Sequence, residues 1–514
     1  MRPIVRVLSI VLALLAVPIL SALPASAGSS TQSTGVLNSF DGTPIVFTLF
    51  EPAGASASNP VPAILMTHGW SGSRQTTTTG MVGALLSHGY AVLTWDSRGF
   101  GQSGGVVELD SPAYEVRDAR ALIDLLATLP QIQMDGVNDP RVGMTGGSYA
   151  GGIQLLTAAF DHRIDAITPD ITWNDLRQSL GPYGVPKTDW LAVLFGSGAA
   201  TGAGLGLVPG NPAGPQAGAY DINLPLWYAE VHATNGLTPD AAEGLRERSP
   251  SVYVSEIKAP TLFTQGLPDT LFNANEATAT YRSLLSFGVP AKLLLGCFGH
   301  SGCPYASDDA HVQAAVLDWL DHYVKQDGTS TGANVEWFAN DAIWRSSATW
   351  PPVGTTWLTT SGNLLLASTP APTGGGGFSI GAGGLDQSAQ SPLLDDGVGS
   401  GLIPIATAGA NGLHVAGAGH VQVHATGVGT EAFLFFRLVD SDTGAVLDGQ
   451  TQAYRMPISP ISTGIGSLDL VGVGYSLPAG HHLALQVSTS DFSHATNRQP
   501  GVYQLTVDVT VPTL

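Results

Sequence analysis

The chain has 514 residues, of which 20 are lysine or arginine and 40 are aspartate or glutamate, so its formal net charge is −20. A chain this acidic has no positive surplus to displace counterions from a phosphate backbone, and we expect no nucleic-acid partner. The hydrophobic content of 44% excludes a chain disordered by composition, and two cysteines exclude a disulfide-rich scaffold or a cysteine-rich zinc protein.

The N-terminus has the pattern of a signal peptide. A basic start leads into an apolar run from Val7 to Leu23, and Ala25-Ser26-Ala27 then matches a cleavage site. We expect cleavage after Ala27, which removes residues 1–27 and makes the protein secreted. An uncleaved membrane anchor is the alternative, but the run is short, contains Pro18 and lacks a basic flank. No later window is apolar enough for a transmembrane helix, so we expect no integral membrane segment after processing.

Strand and helix patterns alternate after this segment, which is typical of an α/β fold built on a parallel sheet. The first two strands form a hairpin around Asp41-Gly42. The predicted strands are 36–37, 45–47, 61–67, 90–95, 142–145, 164–171, 261–265 and 292–295, and the predicted helices are 80–88, 111–129, 149–160, 273–287 and 308–325.

The alternation is interrupted between residues 173 and 250, a segment that contains three tryptophans and a Gly-rich stretch. We interpret this segment as a helical cap inserted into a catalytic domain that spans residues 28–328. From residue 329 to 514 the helical periodicity is absent, and the pattern predicts an all-β domain of sandwich type, with a long loop at 367–401. Its strand-like runs are 355–366, 412–424, 431–439, 467–475, 482–488 and 502–511.

The strongest chemical signal is the segment TGGSYAGG, Thr145 to Gly152. A predicted strand precedes it and a predicted helix follows it. This is the arrangement of a nucleophile elbow, in which a tight turn lifts a serine hydroxyl clear of the sheet. Gly-x-Ser strings also arise by chance in a Gly-rich chain, and it is the strand–turn–helix context that favours Ser148 as a nucleophile.

A serine nucleophile needs a base that is oriented by a third group. In this type of sheet the partners follow the serine in the order acid, then histidine. His300 lies in a Gly-rich loop after the strand at 292–295 and is the candidate base. His311 and His322 lie within a predicted helix, where a solvated face is the simpler role.

Asp269 is the candidate acid, because it follows the strand at 261–265 and so lies one βα unit before His300. A helix N-cap is the alternative role for this residue. Asp96 and Asp135 precede the serine and fit the chain order less well.

Two backbone N–H groups are expected to form an oxyanion hole. One belongs to Tyr149, which follows the serine, and the other to Trp70, in the loop after the strand at 61–67. His68 in the same loop is assigned a structural role. The Gly-rich loop at 96–103 lacks the Lys-Ser/Thr pair of a phosphate-binding loop, and no cluster has metal-ligand spacing, so we expect neither a cofactor nor a metal.

The two cysteines, Cys297 and Cys303, flank His300 in sequence. In an exported protein they can form a disulfide, and two free buried thiols are the alternative. If the bridge forms, we infer that it fixes the loop that presents His300.

These motifs resemble those of the serine hydrolase family that contains X-Pro dipeptidyl-peptidases and cocaine-esterase-type (CocE/NonD) acyl esterases. The resemblance is carried by the Gly146-to-Gly151 elbow, the 96–103 loop, Gln-Gly-x-x-Asp at 265–269 and Gly299-His300. Trp344 to Trp357 and Leu477 to Leu483 are similar to parts of the family's C-terminal domain.

The resemblance implies an α/β-hydrolase fold with a helical cap, a C-terminal jelly-roll-like domain that helps wall the site, and a triad of Ser148, His300 and Asp269. It also implies hydrolysis of esters, or of amides after an N-terminal X-Pro pair. The sequence departs from the family pattern in two places. Cys297-Phe298-Gly299 replaces a proline and an aromatic residue before the histidine, and the loop that contains Trp70 has no tyrosine.

The leading hypothesis is therefore a secreted serine hydrolase that cleaves small-molecule carboxyl esters through an acyl-enzyme. The alternative is release of N-terminal X-Pro dipeptides, which needs a carboxylate to bind the substrate ammonium. Candidate carboxylates in the cap are Asp175, Asp189, Asp221 and Glu230. A glycan- or cell-wall-binding module with vestigial catalysis is the remaining alternative.

Overall fold

The computed structural model describes residues 29–205, 219–368, 379–381, 384–386, 399–458 and 464–514. The expected signal peptide lies outside these ranges. The strands of the N-terminal half are β1 (Thr31–Asn38), β2 (Pro44–Glu51), β3 (Ala63–Met66), β4 (Ala91–Trp95), β5 (Val106–Val107), β6 (Met134–Gly136), β7 (Asp139–Pro140), β8 (Val142–Gly147), β9 (Ile164–Asp170), β10 (Ala219–Tyr220), β11 (Thr261–Gly266), β12 (Ala291–Gly296), β13 (Val335–Phe338) and β14 (Trp344–Ser347).

Nine α-helices occur in the part of the chain that the structure describes. They are α1 (Gly80–Ser87), α2 (Glu115–Ala127), α3 (Tyr149–Phe160), α4 (Leu176–Leu180), α5 (Thr188–Leu205), α6 (Asn223–Thr234), α7 (Pro239–Glu247), α8 (Ala274–Ser286) and α9 (Asp309–Leu320). Short 3-10 helices lie at Pro182–Gly184, Pro250–Val252, Val254–Glu256 and Leu447–Gly449, and a π-helix at Asp321–Lys325 follows α9. None of the described helices is both long and apolar enough to span a membrane.

Ten strands form one twisted sheet in the order β1-β2-β4-β3-β8-β9-β11-β12-β13-β14. The strands from β4 through β3 to β13 pair in parallel, while β1, β2 and β14 are antiparallel to their neighbours. Strands β4, β11 and β12 are buried along their whole length, which explains why apolar residues predominate in them without alternating with polar ones. The predicted α/β alternation is confirmed.

The segment between β9 and β11 contains helices α4 to α7 and forms a cap over one edge of the sheet. Its apolar side chains pack with Phe100 and Tyr149 from the sheet side in one buried cluster. The cap therefore covers the carboxyl ends of the parallel strands, where ligands of open α/β sheets bind.

The sheet extends beyond residue 328, the predicted end of the first domain. Strand β13 pairs in parallel with β12, and β14 returns antiparallel to β13. The sequence pattern missed these two strands because each is short and contains a charged residue, Glu336 in β13 and Arg345 in β14. They lead directly into the first strand of the C-terminal half.

Antiparallel strands make up the C-terminal half, in two main sheets. The two sheets share one apolar core, to which Val423 and Val507 contribute from one sheet and Phe436 and Leu485 from the other. The strands are β15 (Thr356–Ser368), β16 (Ser379–Gly381), β17 (Gly384–Asp386), β18 (Ser400–Thr407), β19 (Leu413–Gly417), β20 (His420–Val428), β21 (Glu431–Asp440), β22 (Ala445–Val446), β23 (Gln452–Pro457), β24 (Gly464–Asp469), β25 (Val473–Leu477), β26 (His482–Ser488) and β27 (Gly501–Thr513).

This half is the expected β-sandwich, called the β domain below. The pattern missed β18, β22 and β23, and each of the predicted runs 412–424 and 467–475 covers parts of two strands, β19 with β20 and β24 with β25. The loop expected at 367–401 contains the short pair β16 and β17, and most of that segment lies outside the described residues.

Candidate active site

Ser148 occupies the turn between β8 and α3, with φ 59° and ψ −121°. Positive φ is uncommon for a residue with a side chain and persists only where neighbouring contacts over-determine it. Here the Ser148 N–H donates to the carbonyl of Asp170 at 2.9 Å, and the Ser148 carbonyl accepts from Gly151 at 2.8 Å. A Cβ on Gly146 would lie 2.8 Å from Cβ of Ala150, so the turn also requires small residues.

The structure brings Ser148, His300 and Asp269 into one chain of hydrogen bonds. Nε2 of His300 lies 2.8 Å from Oγ of Ser148, and Nδ1 lies 2.7 Å from Oδ2 of Asp269. Because Nδ1 faces a carboxylate, we assign the ring hydrogen to Nδ1, which leaves Nε2 to accept the serine proton. This chain of contacts can generate a serine nucleophile.

The carboxylate of Asp269 is fully buried and accepts four N–H hydrogen bonds. Oδ2 accepts from the ring and, at 3.2 Å, from the backbone N–H of His300. Oδ1 accepts from the backbone N–H groups of Leu271 and Phe272 at 2.9 and 3.0 Å. These donors replace the water that burial removes, so the carboxylate needs no lysine or arginine partner.

His300 approaches Asp269 closely because the residue before it is glycine. Gly299 has φ +122°, and a Cβ there would lie 2.7 Å from Cβ of Asp269. The imidazole also lies between the rings of Trp190 and Phe272, with centroids 6.0 and 5.3 Å away. Packing and backbone conformation therefore fix the ring.

The segments that carry both predicted oxyanion donors border Ser148. Tyr149 is the first residue of α3, directly after the serine. A Cβ added to Gly69 would lie 3.8 Å from Cβ of Ser148, which places Gly69, the residue before Trp70, beside the serine side chain. The Trp70 indole donates to the carbonyl of Leu194 at 2.7 Å, so the cap anchors this loop.

His68 has the structural surroundings expected for it. The ring is buried, its Nδ1 lies 2.8 Å from the carbonyl of Gly69, and its Nε2 accepts from the backbone N–H of Ser97 at 3.1 Å. Burial lowers the pKa of His68. The neutral imidazole therefore ties the Trp70 loop to the next loop of the sheet.

The other sequence candidates lie away from Ser148 and have partners of their own. Asp96 pairs with Arg74, Asp135 with Arg141, His311 with Glu336, and His322 with the carbonyl of Thr329.

The expected disulfide between Cys297 and Cys303 is present, which confirms the pairing and excludes two free thiols. It closes a loop around His300. Inside that loop, Oγ of Ser301 accepts from the backbone N–H of Thr270 at 3.0 Å and lies 2.6 Å from the Thr270 hydroxyl. The loops that present His300 and Asp269 are therefore tied together.

Asp170 is a site residue that the sequence analysis missed. It ends β9, its Oδ1 accepts from the hydroxyl of Thr264 at 2.7 Å, and a Cβ on Gly147 would lie 2.8 Å from its Oδ2. Burial raises the pKa of Asp170 to about 6. Its position at the carboxyl end of a parallel strand was the signal that could have found it.

A cavity of about 120 Å³ opens onto Ser148 between the sheet and the cap. None of its described lining residues carries a charge. The lining residues are Trp70, Leu109, Ser148, Tyr149, Trp173, Leu176, Leu180, Leu191, Leu194, Phe195, Tyr220, Leu224, Trp227, Tyr228, Val231, Leu237, Ala241, Leu245 and Phe272. The space next to the Ser148 hydroxyl therefore favours an apolar group.

One group of potential metal ligands occurs among the described residues, in the β domain: Asp440, Asp442 and His481. Nδ1 of His481 is already 2.7 Å from Oδ2 of Asp440, and Asp442 is paired with His482 at 2.8 Å. Hydrogen bonds within the group account for these side chains, and we assign no metal to them.

Three solved structures share this fold over nearly the whole chain. An aminopeptidase from a marine-sediment Thaumarchaeota archaeon has a TM-score of 0.71 and 15% identity, covering 96% of this chain and 98% of its own. An α-amino acid ester hydrolase has a TM-score of 0.71 and 15% identity, covering 97% and 98%. A CocE/NonD family hydrolase from Staphylococcus aureus has a TM-score of 0.64 and 13% identity, covering 94% of each chain. The common architecture is an α/β-hydrolase sheet with a cap and a C-terminal β domain.

The model of the X-Pro dipeptidyl-peptidase (S15) family matches residues 41–302. This match covers just over half of the chain and includes the elbow, the acid loop and the histidine. It agrees with the resemblance seen in the motifs. The chain belongs to the X-Pro dipeptidyl-peptidase (S15) family and is a serine hydrolase.

Proposed function

We propose that this serine hydrolase cleaves carboxyl esters that carry an apolar group, through an acyl-enzyme on Ser148. The observation that carries the proposal is the cavity on the serine, whose described lining is aromatic and aliphatic and has no charged side chain. An apolar group transferred from water into such a site gains about 0.8 kcal/mol per methylene.

In the proposed reaction, Oγ of Ser148 attacks the ester carbonyl carbon while Nε2 of His300 takes the hydroxyl proton. The Tyr149 and Trp70 N–H groups stabilise the oxyanion. As the tetrahedral intermediate collapses, His300 gives the proton to the leaving alcohol, and the acyl group stays on Ser148. Water then repeats the sequence with His300 as base and releases the carboxylic acid. Asp269 stabilises the imidazolium in both halves.

The alternative activity, release of an X-Pro dipeptide, needs an anionic partner for the substrate ammonium. Asp175 is paired with Arg177, Asp221 accepts from the backbone of Asn223, and Glu230 accepts from the hydroxyl of Thr238. None of the four cap carboxylates, Asp189 included, is among the described residues that line the cavity. This arrangement favours a neutral, apolar ester over a charged N-terminus.

Substitution of Ser148 by alanine removes the proposed nucleophile without adding bulk to the elbow. We expect turnover of a p-nitrophenyl ester to fall by at least about 10⁴-fold, and labelling by a fluorophosphonate to disappear. Ser286→Ala is the control, because that hydroxyl is exposed and contacts only a carbonyl within its helix. Equal labelling of wild type and Ser148→Ala would contradict the assignment.

Substrate preference separates the two activities. Across p-nitrophenyl esters of increasing acyl length we expect kcat/KM to rise about fourfold per methylene until the cavity is filled. Ala-Pro-p-nitroanilide should be turned over far more slowly. Leu191→Asp, in the cavity, should lower kcat/KM most for the longer esters. The control is Leu285→Asp, which changes a side chain that is 45% exposed and does not line the cavity, and it should leave kcat/KM unchanged. Faster cleavage of the anilide than of every ester would reverse the proposal.

The disulfide is proposed to fix the loop that presents His300. Reduction should lower kcat about 10-fold through misplacement of the ring and lower the free energy of unfolding by only about 2 kcal/mol. The double variant Cys297→Ser, Cys303→Ser should show the low rate and be insensitive to reductant. Unchanged turnover with both thiols trapped by alkylation would exclude this role.

We also propose that the enzyme is secreted, on the strength of the N-terminal pattern and of a disulfide suited to an oxidising compartment. Expression with the native N-terminus in an exporting host should give a mature protein in the medium that begins at Gly28. N-terminal sequencing and intact mass measure this. Retention of residues 1–27 in a membrane fraction would support the anchor instead.

A further inference from the structure

Side chains bind the carbonyl groups of the loop that presents Asp269, and two of these side chains come from distant parts of the chain. Nε2 of Gln450, in the β domain, donates to the carbonyl of Leu267 at 2.6 Å and to that of Asp269 itself at 3.1 Å. Gln450 is 5% exposed. Both contacts are made to the main chain, so they fix the loop whatever the side chains around it.

Two further donors complete this arrangement. Nζ of Lys187, which precedes α5, donates to the carbonyls of Thr270 and Leu271 at 2.7 and 2.8 Å. Nε2 of Gln265 donates to the carbonyl of Phe272 at 2.6 Å. With these carbonyls bound, the backbone N–H groups of Leu271 and Phe272 donate to the carboxylate of Asp269.

The turn that carries Gln450 also contacts the histidine loop. Asp448, in the preceding 3-10 helix, has φ 49° and is 1% exposed. Its Oδ1 accepts from the hydroxyl of Tyr305 at 2.6 Å and its Oδ2 from the backbone N–H of Gly474 at 2.8 Å. Tyr305 lies two residues after Cys303, so one turn of the β domain reaches both loops.

We propose that Gln450 is a positioning residue: it orients Asp269 through the main chain of the acid loop, so that the β domain completes the active site. The proposal rests on the role given to Asp269 in the proposed function. Gln450 does not line the cavity among the described residues, and its effect should therefore appear in kcat and not in KM.

The test is Gln450→Met, which keeps the length of the side chain and removes both N–H donors. We expect kcat per active site, counted by fluorophosphonate titration, to fall about 10- to 100-fold with KM unchanged, because a displacement near 1 Å costs about 100-fold. Gln450→Asn is the second variant, for use if Gln450→Met does not fold. It keeps the amide but shortens its reach, and it should likewise lower kcat with KM unchanged.

The matched control is Gln452→Met. Gln452 is equally buried and lies two residues further along, but its amide donates only to the carbonyl of Ala453. We expect its kcat per titrated site to equal that of the wild type. A purely structural role for Gln450 would lower the titratable fraction or the melting temperature and leave kcat per site unchanged, and that result would overturn the proposal.

A double-mutant cycle separates this proposal from the function on which it rests. In an Asp269→Asn background, Gln450→Met should change kcat by less than about twofold, because the group through which it acts is gone. Full turnover by Asp269→Asn would refute the role of the acid itself. If Asp269→Asn is slow and Gln450→Met still lowers kcat in that background as much as it does in the wild type, only the positioning role is overturned.

Discussion

The hydrogen bond between Asp269 and His300 is made by a carboxylate that has no exposed surface. A charge in that position is tolerated only where donors replace its hydration. Four N–H groups do so, and three of them belong to the backbone. The backbone donors point at the carboxylate only in one conformation of the loop at 267–272. The residues that bind the carbonyls of this loop hold it in that conformation. The position of His300, and through it the hydrogen bond to Ser148, follows from the same arrangement.

The two sides of Ser148 differ in polarity, and the difference has a chemical consequence. On one side lie the imidazole, the buried carboxylate and the loops that carry them. On the other side lies a cavity lined by aromatic and aliphatic side chains from the sheet and the cap. An apolar substrate group that fills this cavity displaces water from the serine, and electrostatic interactions are stronger where water is excluded. The cap also anchors the loop beside the serine, because the carbonyl of Leu194 accepts a hydrogen bond from the Trp70 indole.

Local patterns predicted most of the fold because the central strands are buried on both faces. A buried parallel strand is rich in apolar residues, and Gly, Asp and Ser mark where it ends. The helix that follows such an end can then be placed from its own period, and α3 was predicted from Tyr149 to Phe160 as the structure has it. The sequence also predicted that Ser148, Asp269 and His300 lie together, because each follows a parallel strand and the carboxyl ends of parallel strands meet at one edge of the sheet. Strands β13 and β14 were too short to show a period. Asp170 met the same topological criterion but belonged to no motif, and Gln450 lies 181 residues from Asp269, beyond any local signal.

The family match ends at residue 302, yet part of what orients the acid lies after it. Strands β13 and β14 form one edge of the first sheet and lead into the β domain, and the two halves also share an interface. Across that interface, Asn275 binds the backbone of Leu470 and Gly472, and Gln450 binds that of Leu267 and Asp269. Contacts of this kind depend on backbone geometry and only weakly on the side chains at the contacted positions. These contacts therefore require the amides of Gln450 and Asn275, and not the side chains of Leu267 and Leu470.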